Sequence, residues 1–314
     1  MYEIALSVAA CLQAGTRVDV AWVVEAEGLG ARDLGEALAI TPGGGRVGSV
    51  LGGALNDQLV DLATQGSTGR IHALQVGDLD AQLAGLACGG AARCLLMPAA
   101  ELAPDLWDRL RSRDPICLVT RLDGDRVVDN AAFGPETIAE AGEDAARLFN
   151  RRVSGSSIEP AAVTTVFWPI PRLLIVGGGP IAGALQKAAD LLGWRIDVIT
   201  EGRAATGAIA GLAGLDKVVV VSHDVELAGP ALAAALAGEV GYIGALGSRR
   251  TQQARADWLA YRGITDLDRV HGPAGLDIGA NTPPEIAVSI LAEAMAVGAK
   301  VAVGSLRAKT GPIH

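Results

Sequence analysis

Two α/β domains are predicted: an N-terminal domain of mixed type and a C-terminal domain built on a doubly wound parallel sheet. Three observations predict this. The chain has 314 residues, too many for one ordinary compact core and suited to two. Half of the residues are hydrophobic but only 4% are aromatic, and Gly and Ala are abundant, a composition suited to close-packed layers of small and β-branched side chains. From Arg172 onward, short apolar runs alternate with helical patterns, the signature of βαβ units.

Taken in order, residues 2 to 14 read as a short helix and RVDVAWVVEAEG (17 to 28) as a strand. EALAIT (36 to 41) is a second strand, reversed by PGGGR in a hairpin. An apolar strand from Val47 to Leu51, a Gly52-Gly53 turn and a helix from about Ala54 to Gln65 follow. RIHALQVG (70 to 77) is a strand, and CGGAARCLLMP (88 to 98) is a Gly-rich turn followed by another. Residues 101 to 113 place Leu102, Leu106 and Leu110 on one helix face, PICLVTRL (115 to 122) is a buried-type strand, and RVVDN is a short one after the Gly124 turn. Residues 135 to 152 read as a helix with acids early and arginines late, as the helix dipole favours. The first domain thus spans 1 to 153. Residues 154 to 171, broken by Ser, Gly and three prolines, read as a linker, within which Val163 to Trp168 has strand character. The second domain spans 172 to 314, with strands at 172 to 177, 195 to 200, 217 to 223 and 240 to 247 and helices after 179, 226, 247 and 281. Thr282 and Glu285 form a capping box with Pro283 at the first helical position.

The second domain is organised around RLLIVGGGPIAGALQKAADLLGWRIDVITE (172 to 201). Gly177, Gly178 and Gly179 sit between a strand and the helix it feeds, and Gly177, Gly179 and Ala182 fit G-x-G-x-x-G/A. The first glycine turns the chain, the second lets a pyrophosphate approach bare backbone, and Ala182 lets helix and strand pack closely. The helix N-terminus offers N–H groups and partial positive charge to an anion. Glu201, at the end of the second strand, is placed to hold a ribose 2′-OH, which favours NAD over NADP. The architecture is therefore Rossmann-like, although tight turning alone would also account for the glycines.

A second anion site is suggested where Gly247-Ser248 ends a parallel strand and Arg249 and Arg250 enter the next helix. Ser222-His223-Asp224 ends another strand, with His223 a candidate donor to a ligand or Asp224 a simple helix cap. In the first domain Cys88 precedes Gly89-Gly90, an open turn in which a thiolate would reach a soft metal centre or a sulfur-containing ligand. Cys11, Cys88, Cys94 and Cys117 show no C-x-x-C spacing, so neither a structural zinc nor a disulfide framework is expected.

The net charge of −9 argues against nucleic acid and polybasic membrane contacts. No apolar stretch reaches transmembrane length, and Glu3 before IALSVAACL argues for a first helix rather than a secretion signal, so a cytoplasmic protein is expected.

VGYIGALGSRRTQQ, AGLDIGANTPPEIAVSILAEAMA and the glycine fingerprint together resemble the C-terminal domain of the XdhC/CoxI family. VGSVLGG, CGG and the strand at 18 to 25 resemble its N-terminal domain. The resemblance implies a maturation factor, a homodimer that binds molybdenum cofactor and delivers it to a molybdenum hydroxylase apoenzyme such as xanthine dehydrogenase. On this reading Cys88 and Arg32, the latter matching the arginine of the family's GSAPR-like loop, are candidate cofactor contacts. The chain departs from the family's GGCxE at Gly53-Ala54-Leu55-Asn56, and has Pro180 where a His often follows the glycines. Two other readings stand beside it: an NAD-dependent oxidoreductase with His223 as its acid or base, and a partner-binding module with a vestigial nucleotide site.

Overall fold

The computed structural model describes residues 1–29, 35–66 and 68–308 and divides into two compact units, Met1–Pro169 and Ile170–His314. In the first unit the order is α1 (Ala5–Gln13), β1 (Asp19–Glu27), β2 (Leu38–Ile40), β3 (Arg46–Gly48), α2 (Asn56–Thr64), β4 (Arg70–Val76), α3 (Asp78–Leu83), β5 (Gly90–Pro98), α4 (Leu106–Arg111), β6 (Ile116–Asp123), β7 (Arg126–Phe133), α5 (Glu143–Asn150), β8 (Gly155–Glu159) and β9 (Ala162–Phe167).

These nine strands form one sheet in the order β3-β2-β1-β5-β4-β7-β6-β9-β8, and the neighbouring pairs are antiparallel. Alternation in β1 sends Val20, Trp22 and Val24 to one side, where α1 and α4 cover them, and Ala21 and Val23 to the other, where α2 and α3 do. The sheet curls strongly. Trp22 in β1 donates its Nε1 proton to Thr165 Oγ1 in β9 at 3.2 Å and meets Phe167 edge-on at 5.9 Å, though four strands separate β1 from β9 in the sheet.

Several elements differ from the sequence expectation for identifiable reasons. Most of the stretch read as a linker, 154–171, is the β8–β9 hairpin, and Val163, Val166 and Phe167 are fully buried there. The boundary between units falls after Pro169 instead. The helix expected over 135–152 is split at Gly142, whose φ of +96° no helix accommodates. Over 101–113 only Leu106–Arg111 is α-helical, because Pro104 lacks an N–H and disfavours helix in the residue before it.

The second unit contains β10 (Arg172–Val176), α6 (Pro180–Leu191), β11 (Arg195–Ile199), α7 (Gly202–Ile209), β12 (Lys217–Val220), α8 (Val225–Ala237), β13 (Tyr242–Ala245), α9 (Arg249–Ala260), β14 (Val270–His271) and α10 (Pro283–Ala299). Its five strands are parallel in the order β11-β10-β12-β13-β14. Numbered within the unit this is 2-1-3-4-5, the flavodoxin-like variant of the doubly wound sheet. Helices cover both faces. Ala182, Leu185 and Ala189 of α6 with Ala287, Ile290 and Ala294 of α10 fill one side, while α7, α8 and α9 fill the other. At the N-terminal edge the fully buried Asp216 accepts the N–H of Arg172 at 2.8 Å and that of Ala213 at 2.9 Å, tying β10 to the turn before β12.

Trp22 is the largest fully buried side chain of the first unit and also makes the hydrogen bond to β9. Trp22→Ala is expected to lower stability by about 3–5 kcal/mol, measured by chemical denaturation; a loss below about 1 kcal/mol would mean that the β1–β9 closure carries no weight.

Candidate functional site

In a 2-1-3-4-5 sheet the crevice opens at the carboxyl ends of strands 1 and 3, here β10 and β12. The residues at those ends are the glycine turn and Ser222-His223-Asp224. Gly177 has φ +112°, and a Cβ there would lie 2.8 Å from Ser222 N and 3.0 Å from its Cβ, so only glycine fits against β12. Gly178 faces Thr200, whose Cγ2 would stand 3.8 Å from a Cβ. Gly179, at φ +104°, has nothing within 4 Å of its Cβ position. The second glycine of the fingerprint therefore borders open space at the N-terminus of α6, as backbone approach by a phosphate requires.

No side chain caps α6. Pro180 occupies its first turn and has no N–H, so the donors that face the opening come from the residues after it. Ala182 is 3% exposed within the core that α6 shares with β10. Glu201 follows the end of β11 as the N-cap residue of α7, exposed and without a capping hydrogen bond.

Ser248, Arg249 and Arg250 lie at the start of α9. Ser248 is the N-cap: its Oγ accepts the Thr251 N–H at 3.3 Å and lies 3.1 Å from Thr251 Oγ1. Both arginines are exposed. Asp224 Oδ1 caps α8 by accepting the Glu226 N–H at 2.9 Å, which leaves His223 exposed beside it.

Two groups of the second unit are absent from the sequence expectation. Arg255, on α9, donates from Nη2 to Ser222 O at 2.7 Å and from Nη1 to Gln252 Oε1 at 3.1 Å. Its spacing with Gln252 and Leu259 places it on the buried stripe of the helix, a signal hidden by its charge. The second group is Glu293 of α10, which accepts the Tyr242 hydroxyl at 2.6 Å and the Gly275 N–H at 2.8 Å through Oε2, with His271 Nδ1 3.4 Å from Oε1. Burial and this carboxylate push the Tyr242 phenol well above its usual range. The network fixes Gly275, the start of the loop GLDIGAN (275–281) that leads into α10. Glu285 holds the loop's end by accepting the N–H groups of Asn281 at 2.9 Å and Thr282 at 2.8 Å, bonds that keep its carboxyl below the usual range and complete the capping box.

In the first unit Cys88 lies in the turn before β5, exposed, with its thiol donating to Gly28 O at 3.2 Å. Two close approaches shape this turn: a Cβ on Gly90 would meet Glu27 O at 2.2 Å, and one on Gly89 would meet Val76 O at 2.6 Å. Gly89 N donates to Asp78 Oδ1 at 3.1 Å. The Cys88 thiol is thereby fixed against the end of β1. Arg32 lies outside the described residues. At the Gly52-Gly53 turn, Asn56 Oδ1 accepts the Val50 N–H at 3.1 Å, a structural use of that side chain.

The second unit is thus a doubly wound nucleotide-type domain whose glycine turn opens at the switch point of the sheet. Family comparison agrees: residues 173–294 match the XdhC Rossmann domain and residues 11–75 match the XdhC and CoxI family. The chain belongs to the XdhC and CoxI family. It is 30% identical over 149 residues, 40% of its length, to the uncharacterized protein YqeB of Escherichia coli (strain K12), and spans 27% of that relative's length. A solved structure described as a xanthine dehydrogenase from Bacillus halodurans is 21% identical, with 93% of this chain and 95% of that one covered at a TM-score of 0.44. Among the described residues no helix is long and apolar enough to cross a membrane.

Burial pushes the thiols of Cys94 and Cys117 up to about 12, whereas Cys88 is exposed. An alkylating reagent at neutral pH is expected to modify Cys88 first and to reach Cys94 and Cys117 only on unfolding, read by peptide mass mapping. Fast labelling of Cys94 in the native protein would contradict this placement.

Proposed function

We propose that this chain is an accessory factor of a molybdenum hydroxylase, of the xanthine dehydrogenase type, which binds molybdenum cofactor and hands it to the apoenzyme. Membership in the XdhC and CoxI family supports the accessory role. The observation that carries the cargo reading is Cys88, an exposed thiol held in a glycine-shaped turn and anchored to Gly28 O. A thiolate there is a suitable soft donor to a metal–sulfur cargo. Arg32, four residues past Gly28 in sequence, is the proposed contact for the cargo's phosphate.

The glycine turn supports a second ligand, NAD(P). Gly177, Gly178 and Gly179 would admit the pyrophosphate, with Glu201 toward a ribose. Ser248 and Arg249 are the further proposed anion contacts. On this reading the two ligands use different units, and the protein works in the cytoplasm as a homodimer. The oxidoreductase alternative would rest on His223, whose neighbour Asp224 is already engaged as the cap of α8.

Separate sites make separate predictions. Cys88→Ala is expected to weaken retention of molybdenum cofactor by about tenfold or more, equivalent to about 1.4 kcal/mol, and to leave NAD binding unchanged. Gly179→Val, which fills the open space at α6, should do the reverse. Calorimetric titration of each variant with each ligand tests both, and equal loss of both ligands from either substitution would refute the two-site reading.

A further inference from the structure

Between α8, α9 and the segment that follows β14, the second unit holds a cavity of about 260 Å³. Arg255 lines it at 2% exposure. Two of its nitrogens are engaged, by Gln252 and by Ser222 O, and its Nε is buried without a hydrogen-bond partner. Burial alone accounts for the downward pull on its pKa, with no carboxylate among the causes. A guanidinium stays protonated at any physiological pH, so among the described residues this is a buried charge without a counterion, an arrangement that proteins ordinarily avoid.

The rest of the lining points the same way. Arg249, in the first turn of α9, contributes a second guanidinium at the positive end of the helix dipole, where a cation is unfavourable in the absence of an anion. Among the described residues that line the cavity, none is acidic. Gln252 is pinned: its Nε2 donates to Ala245 O at 2.7 Å while its Oε1 receives Arg255, so it sets the guanidinium in place. Leu232, Leu259 and Val270 give the remainder an apolar character.

We propose that this cavity binds the phosphate of a small phosphomonoester, with Arg249 and Arg255 neutralising the dianion and the aliphatic lining taking its organic body. Two guanidinium groups with no acid between them match two negative charges rather than one. The cavity is small enough to restrict that body to about the size of a single ring. The site shares Arg249 with the proposed anion contacts of the nucleotide reading but is distinct from the glycine turn and from Cys88, and the proposal does not depend on either being occupied.

The test is calorimetric titration of the full chain with phenyl phosphate, inorganic phosphate and benzoate. Phenyl phosphate is expected to saturate at one per chain, with the other two binding about tenfold or more weakly. Ala256→Phe, which fills the cavity, and Arg249→Gln, a change at an exposed position, should each weaken phenyl phosphate by a similar factor while circular dichroism stays that of the parent. Lack of saturable phenyl phosphate binding, undiminished binding in a folded Ala256→Phe or Arg249→Gln variant, or benzoate or inorganic phosphate binding as tightly as the ester would each overturn the proposal.

Discussion

The second unit depends on the approach of Gly177 to Ser222. Val176 and Val220 are register partners at the ends of β10 and β12, and the next residues of both strands converge until a Cβ at 177 would stand 2.8 Å from Ser222 N. Any side chain there would force the two strands apart at the point where the sheet changes winding direction. Ser222 is also where the other side of the crevice attaches, because its carbonyl accepts Arg255 from α9. The glycine turn, the end of β12 and the middle of α9 are therefore one mechanical unit. A ligand that seats on any one of them acts on a backbone that the other two hold.

The first unit solves a comparable problem with antiparallel strands. Its long sheet curls far enough for Trp22 to bond to β9, and two glycines let the turn before β5 nest against the ends of β1 and β4. What this leaves outside is Cys88. The two deeply buried thiols, Cys94 on β5 and Cys117 on β6, lie within the sheet, where burial denies them thiolate chemistry. The contrast between one presented sulfur and two withdrawn ones is set by sheet position alone.

Local chemistry made much of this legible in the sequence. The glycine turn, the capping box at Thr282 and Glu285, and the alternation of strands and helices after Arg172 each follow from short-range requirements of backbone and period. The stretch 154–171 was opaque because Ser, Gly and Pro dominate its local signal. Its strand state comes from Val163, Val166 and Phe167 finding a core formed by residues distant in sequence. Arg255 was hidden for the opposite reason: a charged residue on a mostly polar helix reads as solvated, and only the packing of α9 over the strand ends buries it. The Tyr242–Glu293–His271 network likewise joins three elements that no sequence window contains.

In the proposed function this chain carries molybdenum cofactor as cargo. The most direct measurement is to incubate the purified full chain anaerobically with molybdenum cofactor, separate bound from free by gel filtration, and assay the protein peak for both metal and pterin. The account predicts molybdenum and pterin eluting together with the protein in a fixed ratio. A protein peak that carries neither, from a sample that still binds NAD, would contradict it and leave only the nucleotide domain to explain the family's fold.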